Sequence, residues 1–190
     1  MIESVLTRRG ASVKKKVTIK TLVSVAIIAS AVLLPQFVHF TTGAAGGVKW
    51  LPMYLPVLLG GCLLGFKWGL LIGILSPVTS FLITSALGSP MPASTRLPYM
   101  IVELMVFASV SGLFGGKIID NKWLAFPAIL LAAVLGRAVF LLMAFALESV
   151  SPLSFATVWA QVTEGLLGLL LQVVLLPFVV MVLASLMKKN

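Results

Sequence analysis

Glu103 stands in LPYMIVELMVF, Leu97 to Phe107, the one carboxylate of an apolar run, and Arg137 stands equally alone in AAVLGRAVFLL. An ionised side chain inside an apolar helix costs at least ~2.5 kcal/mol on insertion scales, so such groups pair with one another or face a polar chamber. A third set follows: Gln161, Glu164, Gly165, Gly168 and Gln172 have offsets of 0, 3, 4, 7 and 11, which puts them on one helical face. Hydrogen-bonding side chains on such a face need partners that lipid does not supply. Two chemistries are open at this point. One is a Glu103–Arg137 salt bridge that locks two helices; the other is a pocket in which one or both residues contact a polar solute.

The elements that must hold these groups are set by composition. Of 190 residues, 60% are hydrophobic and 10% charged, and the mean hydropathy is +1.15. Those values describe an all-α integral membrane protein. A hydrocarbon core of about 30 Å takes roughly 20 helical residues, so the chain has room for about six spans and no separate soluble domain. The apolar runs place them near 17–40, 51–66, 68–87, 97–116, 123–147 and 160–187, giving a single membrane domain over 1–190 with a basic N-terminal segment, 1–16. The run Val17 to Val38 is too long for the core of a signal peptide and reads as the first span. With that N-terminus cytoplasmic, Arg8, Arg9, Lys14, Lys15, Lys16, Lys20, Lys67, Lys117, Lys122, Lys188 and Lys189 fall inside and only Lys49 and Arg96 outside. This positive-inside bias places both termini in the cytoplasm and accounts for the net charge of +9 without nucleic acid.

The turns agree. TTGAAGG and LGSPMPASTRLP form outer loops, and GFKWG and GGKIIDNKW inner ones. The second span is short and carries Pro52 and Pro56 in its first turns, which predicts tilt or irregular backbone. The last apolar region, Ser154 to Met187, would make a helix near ~50 Å, too long for one straight crossing, so SPLSFATVW is expected in a cap over the outer face. Counted from the inner ends at 1.5 Å per residue, Glu103 lies ~20 Å up, Arg137 ~21 Å and Gln172 ~24 Å. The polar groups converge on one level in the outer half, and a solute pocket is expected there.

Tyr99 lies one turn above Glu103, while Tyr54 and Trp50 lie near the outer end of the second span, and Trp159 precedes the polar face of the sixth. Aromatic walls with a few fixed polar groups suit a small-molecule site, and the same residues also suit an interfacial belt. His39 is expected at the interface. In the first span Ala26, Ala29 and Ser30 form a small-residue patch that lets another helix approach. Several classes drop out. GGCLLGFKW and GLFGGK lack the GxxxxGK[ST] spacing of a phosphate loop, and one histidine with one cysteine makes neither a zinc site nor a nucleophile pair. No enzyme, cofactor or metal is expected, and the inner half lacks the polar lining of a pore.

The run LPMYLPVLLGGCLLGFKWGLLIGILSPVTSFLITSALGSPMP, then LPYMIVELMVFASVSGLFGG, LGRAVF and TEGLLGLLLQVVLLPFVV, resembles the substrate-binding S components of energy-coupling factor (ECF) vitamin transporters over nearly the whole chain. The resemblance implies a six-helix protein of the prokaryotic cell membrane that binds a vitamin or precursor near its outer face. It implies docking on a coupling membrane subunit that carries two ATPases, and toppling in the membrane to move the solute inward. It also implies docking through an AxxxA-like pattern, matched here as Ala26, Ala29 and Ser30. The pattern is closest to S components for vitamin B6, niacin or hydroxymethylpyrimidine. On this basis Glu103, Arg137, Gln172 and Glu164 are expected to supply polar contacts, and Tyr54, Tyr99 and Trp159 ring-stacking walls. The outer loops Thr41 to Lys49 and Gly88 to Arg96 would close over the solute. A structural or assembly subunit, with Glu103 and Arg137 as an internal clamp, is the rival.

Overall fold

Each long apolar run becomes a helix because a backbone in hydrocarbon must satisfy its own N–H and C=O groups. The computed structural model describes residues 1–147 and 155–189. Among these it contains seven α-helices and no strand: α1 Ile2–Arg8, α2 Val13–Trp50, α3 Tyr54–Leu64, α4 Phe66–Ala86, α5 Leu97–Asp120, α6 Ala125–Ala146 and α7 Phe155–Lys189. A 3-10 turn, Lys122–Leu124, leads into α6. Six stretches are long and apolar enough to cross a membrane: Val13–Gly43, Gly46–Leu64, Phe66–Ala86, Leu97–Asp120, Lys122–Ala146 and Phe155–Lys188. The chain is a multi-pass, all-helical membrane protein.

α2 runs through the first span into the start of the second, and Gly43, at φ 73° and ψ −173°, breaks it where the one turns into the other. That conformation is open to glycine and closed to most other residues. The second span is broken again at Leu51, whose left-handed φ of 49° ends one helical stretch before α3 begins at Tyr54. Pro52 lacks an N–H and its ring crowds the carbonyl four residues back, which favours a break here, although Pro35, Pro77 and Pro177 are carried inside helices.

α5 is the central helix, packed against α3, α4 and α6, while α7 leans on α6 and α2. The packing is tight where side chains vanish. A Cβ on Gly61 or Gly69 would stand 2.2 or 2.6 Å from the Ala108 carbonyl oxygen, so α3 and α4 meet α5 backbone to backbone. Ser12 caps α2 by accepting from the Lys15 N–H at 3.4 Å. The N-terminal segment folds back as α1. Arg8 pairs with Asp120 at 2.7 Å, Glu3 pairs with Lys20 at 2.6 Å, and Met1 is buried near Cys62. The start of α2, the α3–α4 turn and the end of α5 therefore share one end of the bundle with α1.

The stretch SPLSFATVW, expected in a cap over the outer face, lies partly outside the described residues. Helix α7 is already formed at Phe155 and continues unbroken to Lys189, 35 residues or ~52 Å, with Ser151 to Ser154 outside the described residues. Nothing between Phe155 and Glu164 stops a helix, and rings brace this end: Phe155 packs edge-on against Phe145 at 6.4 Å and stacks with Trp159 at 6.5 Å.

Candidate functional site

The break in the second span opens a cavity of about 220 Å³ at the end of the bundle away from α1. Leu51, Pro52, Met53 and Tyr54 form one wall, and Pro35, His39, Gly47 and Val48 of α2 form the next. Ser80 of α4, Met100 of α5, Arg137 and Phe140 of α6 and Gln161 of α7 reach it, and Met91 to Ala93 with Arg96 cover it from the α4–α5 loop. That loop is fixed at Met91. Its N–H donates to the Thr84 hydroxyl at 2.7 Å, and its carbonyl accepts from Ser80 at 2.9 Å.

At the cavity's base three helices meet through Tyr54, Glu103 and Arg137. The Tyr54 hydroxyl donates to Glu103 Oε2, and Arg137 Nη1 stands 3.0 Å from Glu103 Oε1. The guanidinium carbon lies 5.3 Å from the centre of the Tyr54 ring and 5.9 Å from that of Phe140, within cation–π range. Glu103 is fully buried and Arg137 is 9% exposed, so the ion pair is desolvated. The Nη1–Oε1 contact is an ion pair without hydrogen-bond alignment, since Oε1 accepts no hydrogen bond. Arg137 Nε and Nη2 are likewise buried donors without an acceptor. Phe107 supports the group from below, edge-on to Tyr54 at 5.2 Å. Gly136 makes room for it, because a Cβ there would stand 2.5 Å from the Phe107 ring.

The polar face of α7 has a different task at most of its positions. A Cβ on Gly165 would sit 3.1 Å from the Val48 carbonyl oxygen, and one on Gly168 2.4 Å from that of Lys49. Gln172 Nε2 then donates to the carbonyls of Trp50 and Leu51, each at 3.0 Å. Two glycines thus let α7 approach the carbonyls of Val48 and Lys49 closely, and one amide bonds those of Trp50 and Leu51, the latter also accepting from the Tyr54 N–H at 3.0 Å. Irregular backbone inside a membrane protein is stable where the protein supplies such partners.

Of the expected site residues, the structure brings Tyr54, Glu103 and Arg137 into one cluster. Tyr99 is buried beside the cavity rather than on its wall, edge-on to Phe140 at 6.2 Å, with its hydroxyl unpartnered. Gln172 is buried against the break. Glu164 and Trp159 are exposed on α7 and do not line the cavity. At 3.6 residues per turn Glu164 sits about 90° off the line through Gly165 and Gln172, enough to leave the packed face. Gln161 on that face does reach the cavity, with its Nε2 unpartnered.

His39 and Arg96 line the cavity as well; the sequence signal for both is the clustering of polar residues beside the outer turns. Ala26, Ala29 and Ser30 lie on an exposed face of α2, and the Ser30 hydroxyl donates back to the Ala26 carbonyl at 2.8 Å, leaving that face small and without a free donor. The chain matches no protein-family model, no curated protein and no solved structure, so its function is argued from the site itself.

Proposed function

We propose that this chain is a solute-binding membrane subunit, an S component of an ECF-type uptake system for a small water-soluble vitamin or precursor. In this reading both termini are cytoplasmic, the cavity lies in the outer half of a prokaryotic cell membrane, and the outer loops close over the solute. The chain catalyses no reaction and needs no cofactor. ATP is hydrolysed by two ATPase subunits that act through a coupling membrane subunit docked at Ala26, Ala29 and Ser30.

The observation that carries the proposal is the membrane-level cavity beside the broken span, with Arg137 on its wall holding unused donors. A purely structural ion pair gives its guanidinium no reason to border a chamber. Two arrangements lend further support: the basic termini and turns gather at the end away from the cavity, and the exposed face of α2 is small enough for close helix contact.

The test is calorimetric titration of purified protein with pyridoxine, nicotinate and hydroxymethylpyrimidine, together with mass spectrometry of whatever the denatured protein releases. Micromolar or tighter binding, weakened by Arg137→Lys, is expected. Closure of Glu103 between Tyr54 and Arg137 favours the rival reading, an internal clamp in an assembly subunit; that reading predicts no released compound and no ligand that raises the melting temperature.

A further inference from the structure

We infer that the solute carries one carboxylate on a compact, largely apolar body, and that Arg137 receives that carboxylate; the inference rests on the solute-binding reading above. Among the described residues the ionisable groups on the cavity wall are Arg96, Arg137 and His39, with no carboxylate among them. Glu103 is sealed behind the wall at 0% exposure, where it neutralises Arg137 without offering the cavity an acceptor. A guanidinium stays protonated in proteins and has five donors in a planar fork. In Arg137, which is 9% exposed, Nε and Nη2 have no acceptor, and buried donors of that kind are rare unless something is meant to meet them. The fork matches the two oxygens of a carboxylate.

Gln161 Nε2 adds a second unpartnered donor. α3 starts on the same wall at Tyr54 with no side chain capping its first turn, so the partial positive charge of a helix start also faces this region. Because Glu103 already balances Arg137, the charge of an incoming anion is met by Arg96 and by this helix start. A cationic solute would meet two arginines. The rest of the wall is apolar, with Pro35, Leu51, Pro52, Met100 and Phe140, which disfavours a strongly hydrated phosphate dianion. A volume of about 220 Å³ is below the usual range for drug-sized ligands and sets the body at one ring or its equivalent.

The test exposes purified wild type, Arg137→Lys and Arg96→Gln to a water-soluble bacterial metabolite extract, washes them, and identifies by mass spectrometry what each releases on denaturation. The expected result is enrichment of a monocarboxylate, reduced by at least ~10-fold in Arg137→Lys and by a smaller factor in Arg96→Gln. Arg96 is half-buried at the mouth and makes no ion pair among the described residues, so Arg96→Gln keeps the test decisive should Arg137→Lys fail to fold. Enrichment of a neutral, cationic or phosphorylated compound overturns the carboxylate while leaving solute binding intact. A monocarboxylate retained equally by both variants overturns the role of the arginines. No enriched compound at all removes the solute-binding reading and this inference with it.

Discussion

Removing both partners of the Glu103–Arg137 pair should cost less than the two single removals added together. The closest atoms are 3.0 Å apart, and two unit charges about 4 Å apart at an effective dielectric of ~20 attract by about 4 kcal/mol. Leaving either charge buried without its partner costs ~3–5 kcal/mol in measured cases. Arg137→Met strands a carboxylate that is fully buried, and Glu103→Gln strands a guanidinium that is 9% exposed. Each single variant should therefore melt roughly 10 °C below wild type, at 2–4 °C per kcal/mol for a chain of this size. The double variant strands no charge, and the glutamine oxygen still accepts from Tyr54. Its loss should be smaller than the two single losses added together by at least ~2 kcal/mol. Thermal unfolding of the four proteins in one detergent, without added solute, completes the cycle. Additive losses would refute the pairing, because they would mean that neither charge senses the other.

Other consequences can be checked on the same purified protein. Gln172→Leu frees the carbonyls of Trp50 and Leu51 and should cost about 2 kcal/mol by thermal unfolding, whereas Glu164→Ala, on the exposed side of the same helix, should stay within about 0.5 kcal/mol. Gly168→Val should be more damaging than either, since even a Cβ there meets the Lys49 carbonyl oxygen at 2.4 Å; loss of monodisperse protein in size-exclusion chromatography is the readout. The Lys20 hydrogen bond holds the Glu3 carboxyl below its ordinary value, so α1 gains anchoring from this pair above the unfolded carboxyl pKa and loses it as pH falls through the folded one. Protection of α1 against hydrogen exchange, corrected for the intrinsic pH dependence of exchange, should fall on acidification in wild type and stay unchanged in Lys20→Met.

Periodicity and charge placement made the six spans and the shared level of Glu103 and Arg137 legible, because both follow from counting residues along straight helices. The sequence also showed that Gly165, Gly168 and Gln172 share a face. What occupies that face was hidden, since a glutamine that meets a solute and one that meets a stranded carbonyl have the same spacing. Tyr54 read as an aromatic near the second span's outer end. Its bond to Glu103 depends on the break at Leu51, and left-handed backbone at a leucine leaves no mark in composition. Pro52 predicted irregularity there and is part of its cause.

The interruption at Leu51 and Pro52 has a kinetic meaning. The left-handed backbone at Leu51 and the missing Pro52 N–H disfavour healing into a straight rod, so in the proposed solute-binding reading the chamber is largely preformed. Little ordering entropy would then be charged against association, and encounter would be governed by passage beneath the loop held at Met91. Selectivity can also drift by exchanging individual wall side chains while the scaffold beneath them keeps its shape.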